Sequence, residues 1–287
     1  MEECAISGDL VIPAVRRSAA EVAGRAGADH IGLRCESVCV EYRGPAGAVR
    51  ALSNVTFDVR GHEFVSIVGP SGCGKSSLLR VLAGLAVPTS GRVVFDDGLG
   101  SVRPRGGLVF QEFGTFPWMT VLENLAFGLE MQGVARADRE ARALAFAERL
   151  GLASFAHHYP RQLSVGMRQR VDIGRAFVAD APVLLMDEPF GALDAQTRWV
   201  LQAELLRIWQ ESRKLAVFIT HDIDEAVFLA DRVLVMSGRP GTIRESIHVP
   251  LERPRDRLRD QRIAREIGGR IWRLLEEEVR VGLSIRQ

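Results

Sequence analysis

The chain has 287 residues, 47% of them hydrophobic, and its 37 basic and 36 acidic side chains leave a formal charge of +1. That length suits one large domain or two closely packed lobes, and so balanced a charge excludes a global field for nucleic acid, so no nucleic-acid partner is expected. No run approaches the ~18–20 apolar residues that span a bilayer; the expectation is a soluble protein that reaches a membrane only through partners.

Residues 1–30 are rich in Ala and Gly, broken by charges and without a signal-peptide core, and read as a flexible N-terminal extension. From 31 to 60 apolar residues alternate with polar ones, through Leu33, Cys35, Val38, Val40 and Tyr42 and then Val49, Leu52, Val55, Phe57 and Val59. This pattern predicts two or three short strands. An apolar run, Phe64-Val65-Ser66-Ile67-Val68, leads into Gly69-Pro70-Ser71-Gly72-Cys73-Gly74-Lys75-Ser76, and a helix-like run follows from Ser77 to Leu85.

Strand, glycine-rich loop and helix in that order are the setting the phosphate-binding loop requires. Gly69, Gly72 and Gly74 let the backbone turn so that successive N–H groups face phosphate oxygens. The helix N-terminus adds about half a positive charge. Lys75 reaches the β- and γ-phosphates, Ser76 offers a hydroxyl to Mg²⁺, and the whole cradle, Pro70, Ser71, Cys73 and Ser77 included, is expected to hold a nucleotide. Cys73 reads first as a small space-filler; the alternative is a reactive thiol, its pKa lowered by Lys75 and the helix end.

Pro88–Gly91 is a turn, Arg92–Phe95 a strand and Gly107–Phe110 a further, buried strand. Between Val121 and Leu152 the period becomes helical, with one helix over Leu122–Leu129 and a second over Ala143–Leu150; a third starts near Ser164 and runs through Phe177. Val183–Met186 is short and wholly apolar, as strands of parallel sheets are. Trp199–Trp209 reads as a helix, and Val217–Ile219 and Val233–Met236 as strands. A helical block thus interrupts an α/β frame. In the tail, Ile263, Ile267, Ile271, Leu274 and Leu275 form an amphipathic stripe that reads as a surface helix packed on the body, weakened at Gly268-Gly269. Cys4, Cys35, Cys39 and Cys73 have no zinc-like spacing and read as reduced cytosolic thiols. His157 and His158 lack metal-like companions and read as structural.

The apolar strand ends in Asp187-Glu188-Pro189. An acid at a buried strand tip can hold Mg²⁺ beside the Ser76 hydroxyl, and its neighbour can polarise an attacking water. Asp187 is therefore assigned to the metal and Glu188 to the general base. The competing reading is an ordinary charged turn.

With these residues in hand, the chain resembles the ATP-binding cassette (ABC) ATPases from about residue 33 to 245. Gln111 resembles their Q-loop, Leu163-Ser164-Val165-Gly166-Met167-Arg168-Gln169-Arg170 their signature motif, Asp187 to Asp194 their Walker B and D-loop run, and Ile219-Thr220-His221-Asp222 their switch-histidine segment. The resemblance implies an α/β P-loop NTPase (RecA-like) core with an N-terminal antiparallel β-subdomain and an inserted α-helical subdomain. It implies an ATPase domain over 31–250, helical over about 112–180, and a helical tail over 251–287. It also implies two cassettes head to tail around two ATPs, each between one P-loop and the partner's Ser164 and Gly166, where a second helix N-terminus meets the triphosphate. His221 would stabilise the γ-phosphate and water, Gln111 sense Mg²⁺ and water, Asp194 communicate across the dimer, and Tyr42 stack on adenine, unless it is a strand residue facing the core.

Val165 stands where the family carries a glycine; a β-branched residue disfavours positive φ and adds bulk, which predicts an active but slower site. Phe110-Gln111-Glu112, Phe116-Pro117-Trp118-Met119-Thr120-Val121 and Asn124 resemble bacterial import cassettes, and Asp222–Arg232, Met236-Ser237-Gly238-Arg239-Pro240-Gly241 and Arg253-Pro254-Arg255 resemble their nitrate/sulfonate/taurine branch. That resemblance implies a homodimeric ATPase held peripherally at the cytoplasmic face of the inner membrane by two integral-membrane permeases. It implies supply by an extracytoplasmic solute-binding protein and import of nitrate, sulfonate or a taurine-like solute. The aromatic stretch Phe113, Phe116, Trp118 and Met119 would dock a permease helix or pack the helical lobe. Two other classes remain open: a soluble ABC ATPase that remodels a macromolecular complex, and a low-turnover nucleotide-gated regulatory subunit.

Overall fold

The computed structural model describes residues 32–44, 47–96, 106–112, 114–212 and 214–284. The extension over 1–30, Cys4 and Phe113 lie outside the described residues. Five strands run parallel: β3 (Phe64–Val68), β5 (Gly106–Val109), β6 (Val183–Asp187), β7 (Leu215–Thr220) and β8 (Arg232–Met236). A sixth, β9 (Ile243–His248), closes one edge antiparallel to β8, giving the order β5-β6-β7-β3-β8-β9. Every residue of β3 and β7 is buried, which explains why both are apolar but for Ser66 and Thr220: helices cover both faces of a parallel sheet. β9 escapes a sequence reading because Ile243-Arg244-Glu245-Ser246-Ile247-His248 is a half-exposed edge strand with mostly polar side chains.

A separate antiparallel sheet, in the order β2-β1-β4, is built from β1 (Gly32–Gly44), β2 (Gly47–Arg60) and β4 (Ser90–Asp96). Where two or three short strands were expected before the P-loop, two strands of 13 and 14 residues pair. The breaks in their alternation are bulges, between Cys35 and Val38 and again near Val40, with Ser37 and Asn54 at φ 50°. A bulge shifts the pattern by one residue without ending the ladder, so on the page it looks like a strand end.

The helical block comprises α2 (Val121–Met131), α3 (Arg136–Arg149) and α4 (Val165–Val178). α2 opens on a reciprocal capping box between Thr120 and Glu123. The buried amide of Asn124 fixes the preceding loop: Oδ1 accepts from the Phe116 N–H at 2.8 Å, and Nδ2 donates to the carbonyls of Phe116, Met119 and Thr120 at 2.9–3.1 Å. The remaining helices are α1 (Lys75–Leu82), α5 (Ala195–Ser212), α6 (Ile223–Leu229) and α7 (Gln261–Ser284). α1 begins two residues earlier than its apolar run suggests, so Lys75 and Ser76 are themselves helical. α7 runs unbroken through Gly268-Gly269, because Ile267 and Ile271 bury its apolar stripe against the body. Among the described residues no helix is long and apolar enough to cross a membrane.

α4 crosses α2 and α3 at Gly174, where an added methyl group would stand 2.6 Å from Leu125 Cδ2 and 2.7 Å from Leu150 Cδ1. Gly174→Ala should therefore lower stability by roughly 1–2 kcal/mol in denaturant titration, overpacking exceeding the helix-propensity gain of alanine. A stabilised variant would show that the helices separate freely there.

Candidate functional site

The parallel register brings three strand ends together. Val68 pairs with Thr220, and Ile219 pairs with Asp187. The residues that follow, Gly69, Glu188 and His221, therefore meet at the carboxyl edge of the sheet, where open α/β sheets place their ligands.

The glycine-rich loop leaves β3 and enters α1 through Gly74, the helix N-cap, at φ 109°. A Cβ there would meet Leu52 Cδ2 at 2.7 Å and the Ala51 carbonyl at 2.8 Å, so both the left-handed backbone and the close approach of β2 demand glycine. Pro70, Ser71 and Gly72 lie outward of the buried Gly69. Lys75 is 93% buried by its neighbours (7% exposed), and its ammonium donates to the Gly69 and Pro70 carbonyls at 2.8 and 3.1 Å. The charge is thus held inside the loop, against the acceptors a phosphate would replace. Cys73 is buried with its Sγ against Gly69, and burial pushes its thiol above the ordinary value despite Lys75. The reactive-thiol alternative is thereby corrected: the helix end and the ammonium are outweighed by desolvation, and Cys73 fills space.

Ser76 Oγ donates to Asp187 Oδ1 at 3.3 Å. Burial pushes the Asp187 carboxyl up, with Glu188 adding to the shift and Ser76 and Lys75 opposing it. Such a group is short of positive charge, and with a hydroxyl beside it the donor set fits a hard divalent cation such as Mg²⁺. Glu188 sits at φ 44°, a strained conformation for a non-glycine residue, fixed by its N–H to the Ile219 carbonyl at 2.9 Å. Its Oε2 lies 2.9 Å from His221 Nδ1, and the imidazole itself is 62% exposed. Gln111 lies beyond β5 on the wall of a cleft of about 470 Å³ that Ser76, Arg80, Glu112 and Asp187 also line. The Tyr42 hydroxyl donates to Ser77 Oγ at 3.0 Å; its ring is 44% exposed and so does not face the core.

Three of the expected residues stand apart from this group. Ser164 caps α4, its Oγ accepting from the Met167 N–H at 3.3 Å. Asp194 accepts from the N–H groups of Thr197 and Gln196 at 3.0 and 3.1 Å, and the Thr197 N–H holds its carboxyl below the usual range. A methyl on Gly166 would stand 2.9 Å from Thr197 Cγ2, so the α4 N-terminus packs on α5. None of the three shares a hydrogen bond with the P-loop, and Ser164 and Asp194 are solvent-exposed. Val165 is the first residue of α4 and keeps negative φ, which removes the backbone objection to it and leaves only its bulk, 38% exposed.

Two groups were missed. Asp172 on α4 accepts from the Gly114 N–H at 3.0 Å, and Arg175 donates to the Gly114 carbonyl while its guanidinium lies 4.3 Å from the Phe116 ring centroid. The pair thereby clasps the loop after Gln111 to the helix that Ser164 caps. Nothing in the sequence singles the pair out, because Arg168 and Gln169 share its side of α4 and Gly114 lies far off in the chain. Arg198 donates to the Leu193 carbonyl at 3.0 Å and to Asp222 Oδ2 at 3.3 Å, joining the Asp194 segment to the His221 loop. No periodicity marks that bridge, because its ends are far apart in the chain.

The family model described as ABC transporter matches residues 52–191. The nitrate import ATP-binding protein NrtD of Synechocystis sp. is 46% identical over 229 residues, 78% of this chain and 85% of that protein. The taurine import ATP-binding protein TauB of Burkholderia thailandensis is 49% identical over 215 residues, 74% and 82% respectively. A dimeric bacterial ABC transporter cassette superposes with a TM-score of 0.66 at 33% identity, covering 76% of this chain and 98% of that one, and the same cassette is known in a post-hydrolysis state bound to ADP and Pi.

Asp172 offers a pH test of the clasp. Burial, outweighing Arg175, raises its carboxyl from 3.8 to about 6, so the fold favours the neutral acid and loses that contribution as pH rises from about 4, where the unfolded chain ionises, to about 6, where the folded chain does. Asp172→Asn cannot ionise. Its stability relative to the native chain should rise as pH climbs from about 3 to about 7, by up to roughly 3 kcal/mol, and stay level above that. A difference that is flat with pH would show that Asp172 is not confined as described.

Proposed function

The chain belongs to the ABC transporter family as an ATP-binding, ATP-hydrolysing cassette, and from that premise we propose that it is the ATPase subunit of a bacterial importer for nitrate, a sulfonate or a taurine-like solute. The observation that carries the mechanism is the division of the site. The P-loop, Asp187, Glu188 and His221 converge at one sheet edge, whereas the capped N-terminus of α4 is solvent-exposed and shares no hydrogen bond with them. A second copy, head to tail, supplies Ser164 and Gly166 to the first copy's triphosphate, so each nucleotide lies between two helix N-termini. The dimeric cassette at 33% identity supports this arrangement.

Within the closed site, Lys75 leaves the Gly69 and Pro70 carbonyls for the β- and γ-phosphates, and Tyr42 stacks on the adenine. Ser76, Asp187 and Gln111 hold Mg²⁺, which neutralises phosphate charge when bound. Glu188, its carboxylate directed by His221, takes a proton from the attacking water; the new P–O bond forms as the bond to the β-phosphate oxygen breaks, giving ADP and phosphate. His221 and the P-loop N–H groups meet the charge on the γ-phosphoryl oxygens. Asp194 and Arg198 link closure of the dimer to His221. Val165 sits at the lid with its side chain exposed, which slows turnover without removing a backbone donor.

The helical block presents a groove of about 410 Å³ between Trp118, Met119, Leu122 and Ala126, rimmed by Glu123 and Arg139. Phe116 turns inward onto Phe127 and Arg175, whereas Trp118 is 69% exposed. We assign the groove to a helix of the permease, two of which hold the homodimer peripherally at the cytoplasmic face of the inner membrane and receive solute from an extracytoplasmic binding protein. The relatives named for nitrate and taurine import support this assignment.

Glu188→Gln should slow phosphate release at least about 100-fold and leave an ATP-loaded dimer in size-exclusion chromatography; turnover at the native rate would refute the general base. Trp118→Ala should leave ATP turnover of the isolated subunit within about twofold while abolishing co-purification with the permeases, a hot-spot loss. Undiminished co-purification would return Trp118 to an incidental surface role.

A further inference from the structure

After β9 the chain passes the end of α6 as an irregular arm that bends at 253–254 and turns over 257–260 before entering α7, and three alternate arginines of this arm are tied down. Arg253 donates to Asp231 Oδ1 at 2.6 Å and to the Leu229 carbonyl at 3.0 Å. Arg255, its side chain wholly buried, donates to the carbonyls of Val227 and Phe228, both at 2.8 Å. These two satisfy the C-terminal carbonyls of α6 and anchor the arm.

Arg257 reaches elsewhere. Its guanidinium lies 4.0 Å from the Phe228 ring centroid and donates to Gln202 Oε1 on α5. Gln202 Nε2 in turn donates to Glu225 Oε1 at 2.7 Å, and the Thr220 hydroxyl donates to Glu225 Oε2. Gln202, Glu225 and Thr220 are 1%, 5% and 1% exposed. Thr220 immediately precedes His221, and its Oγ1 also accepts from the Asp222 N–H at 3.0 Å, while the Glu225 N–H donates to Asp222 Oδ1 at 3.1 Å. The loop that carries His221 is therefore closed on both sides by Glu225.

The relay has one direction. An arginine can only donate and a carboxylate can only accept, so the Gln202 amide must turn its oxygen to Arg257 and its nitrogen to Glu225. Without Arg257 the amide is free to rotate, and a buried carboxylate oxygen loses its donor, which such a site tolerates poorly. We propose that Arg257 is a positioning residue for His221, acting from the C-terminal arm through Gln202, Glu225 and Thr220. The proposal rests on the reading of His221 given above and adds that the arm sets how readily the switch histidine is held in its working place. It makes the segment beyond the nucleotide-binding core a determinant of turnover.

The test uses the full-length chain with ATP and Mg²⁺. Arg257→Met keeps the aliphatic stem against Phe228 and removes the donors; Gln202→Met breaks the same relay from inside. Each should lower kcat about fivefold or more while leaving the KM for ATP within about twofold, because the P-loop is untouched. Native kcat in either variant, or a rise in KM matching the fall in kcat, overturns the proposal. Should Arg257→Met fail to fold, Gln202→Met alone decides. His221→Ala separates the two levels: if it turns over like the native chain, the site reading fails, whereas its loss of turnover beside a native-like Arg257→Met leaves the site reading standing and sinks the relay.

Discussion

Three parallel strands that stop level with one another, β6, β7 and β3, govern everything else in the molecule. Val68 opposite Thr220 and Asp187 opposite Ile219 place a glycine-rich turn, a pair of acids and a histidine at adjacent strand tips. Strand ends in a parallel sheet are held by a ladder of backbone hydrogen bonds buried on both faces, so they are among the most rigid points a fold can offer. A slip of one residue in β7 would exchange its two faces and carry His221 away from Glu188. The positive φ of Glu188, which costs of order 1–3 kcal/mol, is tolerated because its N–H is captured by the Ile219 carbonyl in that same ladder.

Around this rigid edge, the loops that carry the other site residues are joined to their neighbours by charged side chains as well as by core packing. Asp172 and Arg175 tie the segment after Gln111 to α4; Arg198 ties the segment before Asp194 to Asp222; Arg257 reaches Thr220 by way of Gln202 and Glu225. Each joint is partly or wholly buried, and each has two or more donors aimed at fixed acceptors. Such joints are directional, so displacement of one partner is transmitted, whereas an apolar contact would slide. The arrangement suits the proposed cassette, in which a second copy completes the nucleotide site.

What could be read from the sequence was what is contiguous in it. The P-loop, the Asp187-Glu188 pair and the α4 cap at Ser164 each need only neighbouring residues, and their strand-loop-helix setting was visible in the apolar pattern. The bulged hairpin of β1 and β2 was not, because a one-residue bulge and a strand end leave the same mark on an alternating pattern. β9 was not, because an edge strand has one wet face and little apolar signal. The reactive reading of Cys73 failed on burial, a tertiary quantity; the loop-local charges alone point the other way. Val165 was judged against a positive φ that the helix start does not require. The clasp at Asp172 and the bridges of Arg198 and Arg257 join residues 24–58 positions apart, and no local pattern could announce them.

The central claim is that each nucleotide site is shared between two copies, with the P-loop from one and the α4 N-terminus from the other. Complementation measures this directly. A Lys75→Ala chain and a Ser164→Arg chain are each inactive alone, but in a mixed dimer the second chain's intact P-loop faces the first chain's intact Ser164. Mixing them in equal amounts should restore ATP hydrolysis to roughly a quarter of the native rate, since half of the dimers are mixed and each has one whole site. A mixture as inactive as its two components would contradict the account.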